Sequence, residues 1–267
     1  MITNFKKSLE RKELSKNTIS AYVQAVNSYF INYSTVTKEN LVNHKIWLIE
    51  NFHPSTVNVR LQGMNRYLEF KKQNSLKMKF VKMQQRTFCE NVISNAEYVY
   101  LKKQLKKAGL MGWYFIVWFL TATGARISEL LQIQTEHVEK GYMDIYTKGG
   151  KIRRLYIPKS LRINALQWLY KEGIMCGFIF QNHLCCKFAK KKVARCLKNF
   201  AKKYGLNQKV IYPHSFRHRF AKNFLQNFND IALLSDLLGH KCIETTRIYL
   251  RRTLFEQQTM VDKIVTW

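Results

Sequence analysis

The sequence predicts a mainly α-helical chain of two domains with one small antiparallel β element. Three observations carry that expectation. Only 11 glycines and 3 prolines interrupt 267 residues, so tight turns are few. Apolar residues recur at helical spacing along most of the chain, and strand-like runs occur in one place, "YMDIYT" and "IRRLYIP" around "KGGK". A chain of this length also exceeds a typical single domain.

The elements follow in order. Thr18 is read as the cap of a helix whose apolar positions are Ile19, Tyr22, Val23, Val26, Tyr29 and Phe30. A short helix over Lys38–Asn51 and another from Pro54, carrying Val57, Leu61, Met64, Tyr67 and Leu68, complete a bundle of four or so helices. The basic stretch "KKQNSLKMKFVKMQQRTFCEN" lacks helical periodicity over most of its length, and an interdomain linker is placed at about 76–90. Ser94 and Glu97 then have the spacing of a capping box for a helix reaching about Lys107. "GWYFIVWFLTATG" is apolar on nearly all sides and reads as a buried core helix, with "ARISELLQI" as a helix after Gly124. After the hairpin, helices are expected at about 159–171, 187–204, 215–227, 230–238 and 243–250. A last one begins with a Thr253/Glu256 capping box and repeats Leu254, Val261, Ile264 and Val265.

Forty-five Lys and Arg against 17 Asp and Glu give a formal charge of +28, a self-repulsion that a polyanion relieves. Nucleic acid is the first candidate. An anionic membrane surface fits less well, because the basic residues are spread along the whole chain instead of clustering beside one apolar helix. The longest apolar run, "WYFIVWFL", falls far short of a bilayer span, and "MITNFKKSLERKELS" has no secretory core or cleavage site. Cys89, Cys176, Cys185, Cys186, Cys196 and Cys242 show no CxxC spacing and read as reduced thiols of a cytoplasmic protein, with no metal and no cofactor expected.

Four stretches of the second domain carry candidate chemistry. In "TGARISELL", Arg126 stands behind a glycine just inside a helix start, aimed at an anion, with Glu129 three residues on to hold it; the plain alternative is a solvated helix-face pair. In "YTKGGKIRRLYIP", Lys148 lies at the hairpin tip, within reach of a partner's groove or simply solubilising. In "YPHSFRHRF", His214 and Arg217 share one face of a helix that Pro213 opens, a good phosphate site, while His218 and Arg219 point elsewhere, to pack or to touch DNA backbone. In "LLGHKCIETTRIYL", a Gly239–His240 pair stands ahead of Tyr249, His240 by nine residues.

The order Arg…Lys…His-x-x-Arg…Gly-His…Tyr resembles the tyrosine recombinase (phage integrase) family, in its compact Xer-like type. The matching stretches are "TGARISELL", "TKGGKIRRLYIP", "PHSFRHRFA" and "LLGHKCIETTRIYL", with "NTISAYVQAVNSYF" similar to the first helix of the family's core-binding domain. The resemblance implies a helical, SAM-like core-binding domain over 1–80 and a catalytic domain over 88–267, gripping opposite faces of a duplex. It implies a site-specific recombinase that cuts and rejoins DNA through a 3′-phosphotyrosine and a Holliday junction, for integration and excision, dimer resolution or inversion. Arg126, Lys148, His214, Arg217, His240 and Tyr249 would be catalytic: Tyr249 the nucleophile, the two arginines forks on the nonbridging oxygens, and Lys148 the acid for the 5′-hydroxyl. His214 would assist proton transfer, His240 would hydrogen-bond the phosphate, and Glu129 would orient the Arg126 side of the pocket. Implied partners are double-stranded DNA with paired inverted half-sites and, on DNA, a homotetramer assembled by exchange of the C-terminal helix, a monomer being expected off DNA. The setting would be the cytoplasm, at a bacterial nucleoid or in the host of a mobile element. Two alternatives remain open at this point. One is a type IB topoisomerase-like relaxing enzyme, whose family usually has lysine where His214 stands; the other is a non-catalytic DNA-binding protein on the same scaffold, although no Arg, His or Tyr of the pattern is missing.

Overall fold

A computed structural model of the chain describes residues 2–83, 92–146, 152–182, 186–240, 242–250 and 254–265, side chains at 250, 254–257 and 260 excepted. Two compact units divide at Gln85/Arg86.

The first unit comprises α1 (Ile2–Arg11), α2 (Lys16–Asn32), α3 (Lys38–Asn51) and α4 (Pro54–Phe70). Ser15, and not Thr18, caps α2: its hydroxyl accepts the backbone N–H of Thr18, satisfying one of the donors a helix start leaves free. Thr37 does the same for α3. Gly63 lets α4 approach α2, since an added Cβ would stand 2.9 Å from Ala25 Cβ. Phe5, Val26, Tyr29, Leu41, Met64 and Tyr67 form the core between these helices. The segment after α4, expected to open the linker, is instead strapped to the unit. Asn65 exchanges two hydrogen bonds with the Met78 backbone and Asn58 two with Val81, each 2.8–2.9 Å.

The second unit opens with α5 (Asn95–Lys107), where Ser94 and Glu97 form the reciprocal capping box that the sequence predicts. The apolar α6 (Met111–Thr123) sits in the core, burying Phe115, Ile116, Val117, Phe119 and Leu120, and ends at Gly124 in the left-handed region (φ +63°). The helix expected over 125–133 is confined to one turn, α7 (Ile127–Leu130). A further short helix, α8 (Thr135–Lys140), was not expected. Strands β1 (Tyr142–Tyr146) and β2 (Ile152–Tyr156) pair antiparallel, with Asp144 opposite Arg154 and Ile145 opposite Arg153. The chain continues through α9 (Lys159–Lys171), α10 (Lys190–Lys203), α11 (Pro213–Phe228), α12 (Ile231–Leu238), α13 (Glu244–Arg247) and α14 (Leu254–Ile264). The helix expected over 243–250 is a single α-turn followed by a 3-10 turn at Ile248–Leu250. The architecture is thus mainly α with one two-stranded antiparallel sheet. No helix among the described residues is long and apolar enough to cross a membrane.

Candidate active site

The site forms where α12 ends. Gly239 terminates that helix in the left-handed region (φ +62°), which turns the last carbonyls toward three arginines from distant parts of the chain. Arg217, on α11, is 2% exposed, and its Nη1 donates to the Gly124 carbonyl and its Nη2 to that of Leu238, each at 2.7 Å. Arg126 caps α7 in extended conformation, so the axis of a long helix does not stand behind it. Its Nη1 donates to Glu129 Oε1 at 2.8 Å and its Nη2 to the Gly239 carbonyl at 3.2 Å. Arg153, which the sequence reading passed over as an ordinary strand residue, is the third. It faces inward on β2, and its guanidinium donates to both oxygens of Glu129 and to the Leu238 carbonyl.

Among the described residues Glu129 accepts four donors, including the Arg126 backbone N–H at 2.7 Å. Burial pushes its carboxyl up, but the Arg153 charge and the Arg126 donors outweigh burial and leave it below the ordinary carboxylate range. Burial lowers the Arg217 guanidinium to about 10, with the Arg126 charge acting in the same direction. Three guanidiniums against one carboxylate leave an excess of positive charge in a largely desolvated place, where it acts strongly on an anion.

His240 follows the turn. Arg217 Nη2 lies 3.1 Å from its Nε2, and Thr246 Oγ1 lies 2.8 Å from its Nδ1. A guanidinium only donates, so Nε2 accepts, which places the ring proton on Nδ1 toward Thr246. Burial, then the Arg217 and Arg126 charges, lower this imidazole to about 4, keeping it neutral.

The nine residues after His240 bring Tyr249 back beside it, on the 3-10 turn. Tyr249 is 6% exposed, with its ring stacked on His240 (centroids 6.1 Å apart, 18° between planes) and tilted on His218 (5.3 Å, 55°). His214 is exposed on the first turn of α11, its ring 6.4 Å from that of His218, and partial desolvation, then the Arg217 charge, lower its pKa. His218 is therefore the α11 imidazole that lies against the tyrosine. Arg219 packs: its guanidinium lies 4.7 Å over the Tyr98 ring and bonds Asn95. The structure thus brings Arg126, Glu129, Arg217, His240 and Tyr249 together, with His214 at the edge; Lys148 lies outside the described residues. Period-two alternation in "IRRLY", which puts Arg153 on the same face as Leu155, was the available signal for the residue missed.

The profile described as the phage integrase family matches residues 75–254. The chain belongs to the phage integrase family, the tyrosine recombinases. Tyrosine recombinase XerA of Pyrococcus furiosus is 26% identical over 98% of this chain and 93% of its own. Among solved structures, a lambda integrase dimer bound to a core site aligns with a TM-score of 0.74 at 14% identity, covering 92% of this chain and 93% of that one. XerH recombinase bound to a palindromic difH substrate aligns with a TM-score of 0.73 at 17% identity, over 100% and 85%. These two structures speak to the fold. Neither alternative kept open by the sequence is favoured.

Proposed function

We propose that this site-specific tyrosine recombinase cuts and rejoins double-stranded DNA through a 3′-phosphotyrosine formed at Tyr249. The observation that carries the reading is the convergence of Arg126, Arg217, His240 and Tyr249 on the end of α12. A phosphodiester entering here takes Arg126 and Arg217 on its nonbridging oxygens, planar forks suited to that task. The arriving oxygen replaces His240 as the partner of Arg217 Nη2. His240 Nε2 must then carry a proton to bond the phosphate, and the phosphate's negative charge favours that proton. The Tyr249 oxygen attacks phosphorus as its proton leaves on the α11 side, where His218 lies against the ring and His214 beyond it is the proposed acceptor, and the bond to the 5′-oxygen breaks. Lys148 protonates the departing 5′-hydroxyl. Rejoining runs the same steps backwards, so the phosphoryl linkage is conserved.

The domains over 1–80 and 88–267 are proposed as the core-binding and catalytic domains, working in the cytoplasm on paired inverted half-sites. The formal charge of +28 predicts binding that weakens steeply with salt as counterions are released. Val261, Ile264 and Val265 of the last helical segment are exposed, which supports docking of α14 on a neighbouring protomer in a tetramer. Its Thr253 cap lies outside the described residues. Truncation after Thr253 should leave half-site binding intact and abolish cooperative full-site binding; a truncated chain that still assembles cooperatively contradicts the exchange.

The chemistry is tested with a library of nicked duplexes of random sequence. Protein-linked DNA is recovered after SDS treatment, and its ends are mapped. A protein on the 3′-phosphate opposite a free 5′-hydroxyl is expected. Linkage to a 5′-phosphate, or no linkage, refutes the proposal.

A further inference from the structure

Arg153 is 7% exposed, and among the described residues its guanidinium bonds Glu129 and the Leu238 carbonyl. Its Nη1 donates to the Leu238 carbonyl at 2.7 Å and to Glu129 Oε1 at 3.2 Å, and its Nη2 to Glu129 Oε2 at 3.1 Å, while its Nε is buried without a partner among the described residues. Its aliphatic stem packs so closely against the turn that a Cβ on Gly239 would run into it. Burying an arginine is costly, and an apolar strand residue would serve the fold alone as well or better. What the arginine adds is a grip on two groups that the site depends on. One is the carboxylate that holds both the backbone and the guanidinium of Arg126. The other is the last carbonyl of α12, shared with Arg217 one residue before Gly239 and His240.

Without Arg153, Glu129 retains only the two Arg126 donors and gains freedom to rotate, carrying the Arg126 fork with it. The Leu238 carbonyl keeps Arg217 alone, and the turn that presents His240 loses the side chain packed beneath it. We propose that Arg153 is a positioning residue for phosphodiester cleavage: clamped between Glu129 and the end of α12, it holds Arg126 and His240 on one anion position. The inference rests on the reading of Arg126 and His240 as phosphate-binding groups. Because Arg153 is buried with its guanidinium on Glu129 and the Leu238 carbonyl, its loss should act on the chemical step and leave binding nearly unchanged.

The test uses the full chain with Arg153→Met and Arg153→Lys, on a nicked duplex recovered as above. Half-site affinity and the rate of SDS-resistant adduct at saturating DNA are measured separately. We expect affinity within a few-fold of the parent and an adduct rate lowered about 100-fold in the Met variant, the scale of a misplacement of roughly 1 Å. Lysine should recover part of that rate. Combining Arg153→Met with Glu129→Gln should cost no more than the larger single loss, since both act through one carboxylate. A bridging 5′-sulfur, which needs no acid, should rescue Lys148→Ala and leave Arg153→Met slow. A Met variant cleaving at the parent rate, multiplicative losses in the double variant, or sulfur rescue of Arg153→Met would each overturn the clamp. Should the Met variant fail to fold, the folded Lys variant decides by the same split between binding and rate. A parent chain that forms no adduct would instead sink the recombinase chemistry itself, and the clamp's role with it.

Discussion

His44 in the first unit and Glu129 in the second are both buried titratable groups, and the two units treat them in opposite ways. His44 is 1% exposed on α3, boxed by Tyr29, Tyr33 and a stacked Trp47, with neither ring nitrogen hydrogen-bonded among the described residues. Burial, with the Arg60 charge beside it, lowers it to about 4, so at neutral pH it is an uncharged aromatic plate in an aromatic core. Glu129 is 8% exposed, charged, and accepts four donors. A buried polar group without partners asks only to be kept neutral. A buried charge with a full set of partners fixes the positions of everything bonded to it. The first arrangement belongs to a scaffold, and the second to a site where geometry sets rate.

The comparison breaks most readily at Glu129. Glu129→Ala leaves Arg153 buried without its counter-charge and should cost about 3–5 kcal/mol of stability, read from urea melts of the full chain. A loss below about 1 kcal/mol would mean that the pair is not the organising feature of the unit. His44 should behave in the reverse sense. Its folded pKa lies below the unfolded value of 6.5, so the unfolded chain takes up the proton first, and stability falls as pH drops from 6.5 toward 4. His44→Leu should therefore be nearly neutral at pH 7 and gain on the parent by up to about 3 kcal/mol at pH 4, the size of a shift from 6.5 to about 4 at roughly 1.4 kcal/mol per pK step. A pH-independent difference between the two melts would show that His44 has a partner.

A smaller effect is expected at Gly239. Alanine there meets the left-handed backbone penalty of roughly 1–2 kcal/mol and also collides with the Arg153 stem. Reduced stability together with a slower adduct rate is the expected signature; a loss of stability alone would separate the turn from the chemistry. The smallest effect belongs to Arg154, next in sequence to Arg153 but on the outer face of β2. It pairs with Asp144 through two hydrogen bonds of 2.8 and 2.9 Å in solvent. Arg154→Ala should leave the adduct rate unchanged and shift the unfolding midpoint too little to resolve, because solvent screens exposed pairs. A slowed adduct would show that the outer face of the hairpin also serves the reaction.

What the sequence reveals of this molecule divides along the same line. The Ser94/Glu97 box, the helix opened by Pro213 and the two strands around a glycine turn are set by neighbours a few residues apart, and they were legible. The order of Arg126, His214, Arg217, His240 and Tyr249 was legible through resemblance, although the chain alone could not say that Tyr249 lies on a 3-10 turn with His218 against it. Arg153 went unread because its partners stand 24 and 85 residues away. The strap over 77–81 was missed for a similar reason: its hydrogen bonds go to asparagines on α4 and leave no periodicity in the strap itself. The short α8 lacks enough turns to show an apolar face.

The proposed chemistry depends on Tyr249 being the group that joins DNA. The direct measurement compares the parent chain with Tyr249→Phe on one nicked duplex, scoring SDS-resistant adduct and half-site binding in parallel. The phenol oxygen is the only atom removed, and the ring that packs between His218 and His240 is retained. The expected result is a covalent adduct for the parent and none for the Phe variant, with equal binding by both. An adduct formed by the Phe variant at the parent's rate would contradict the assignment.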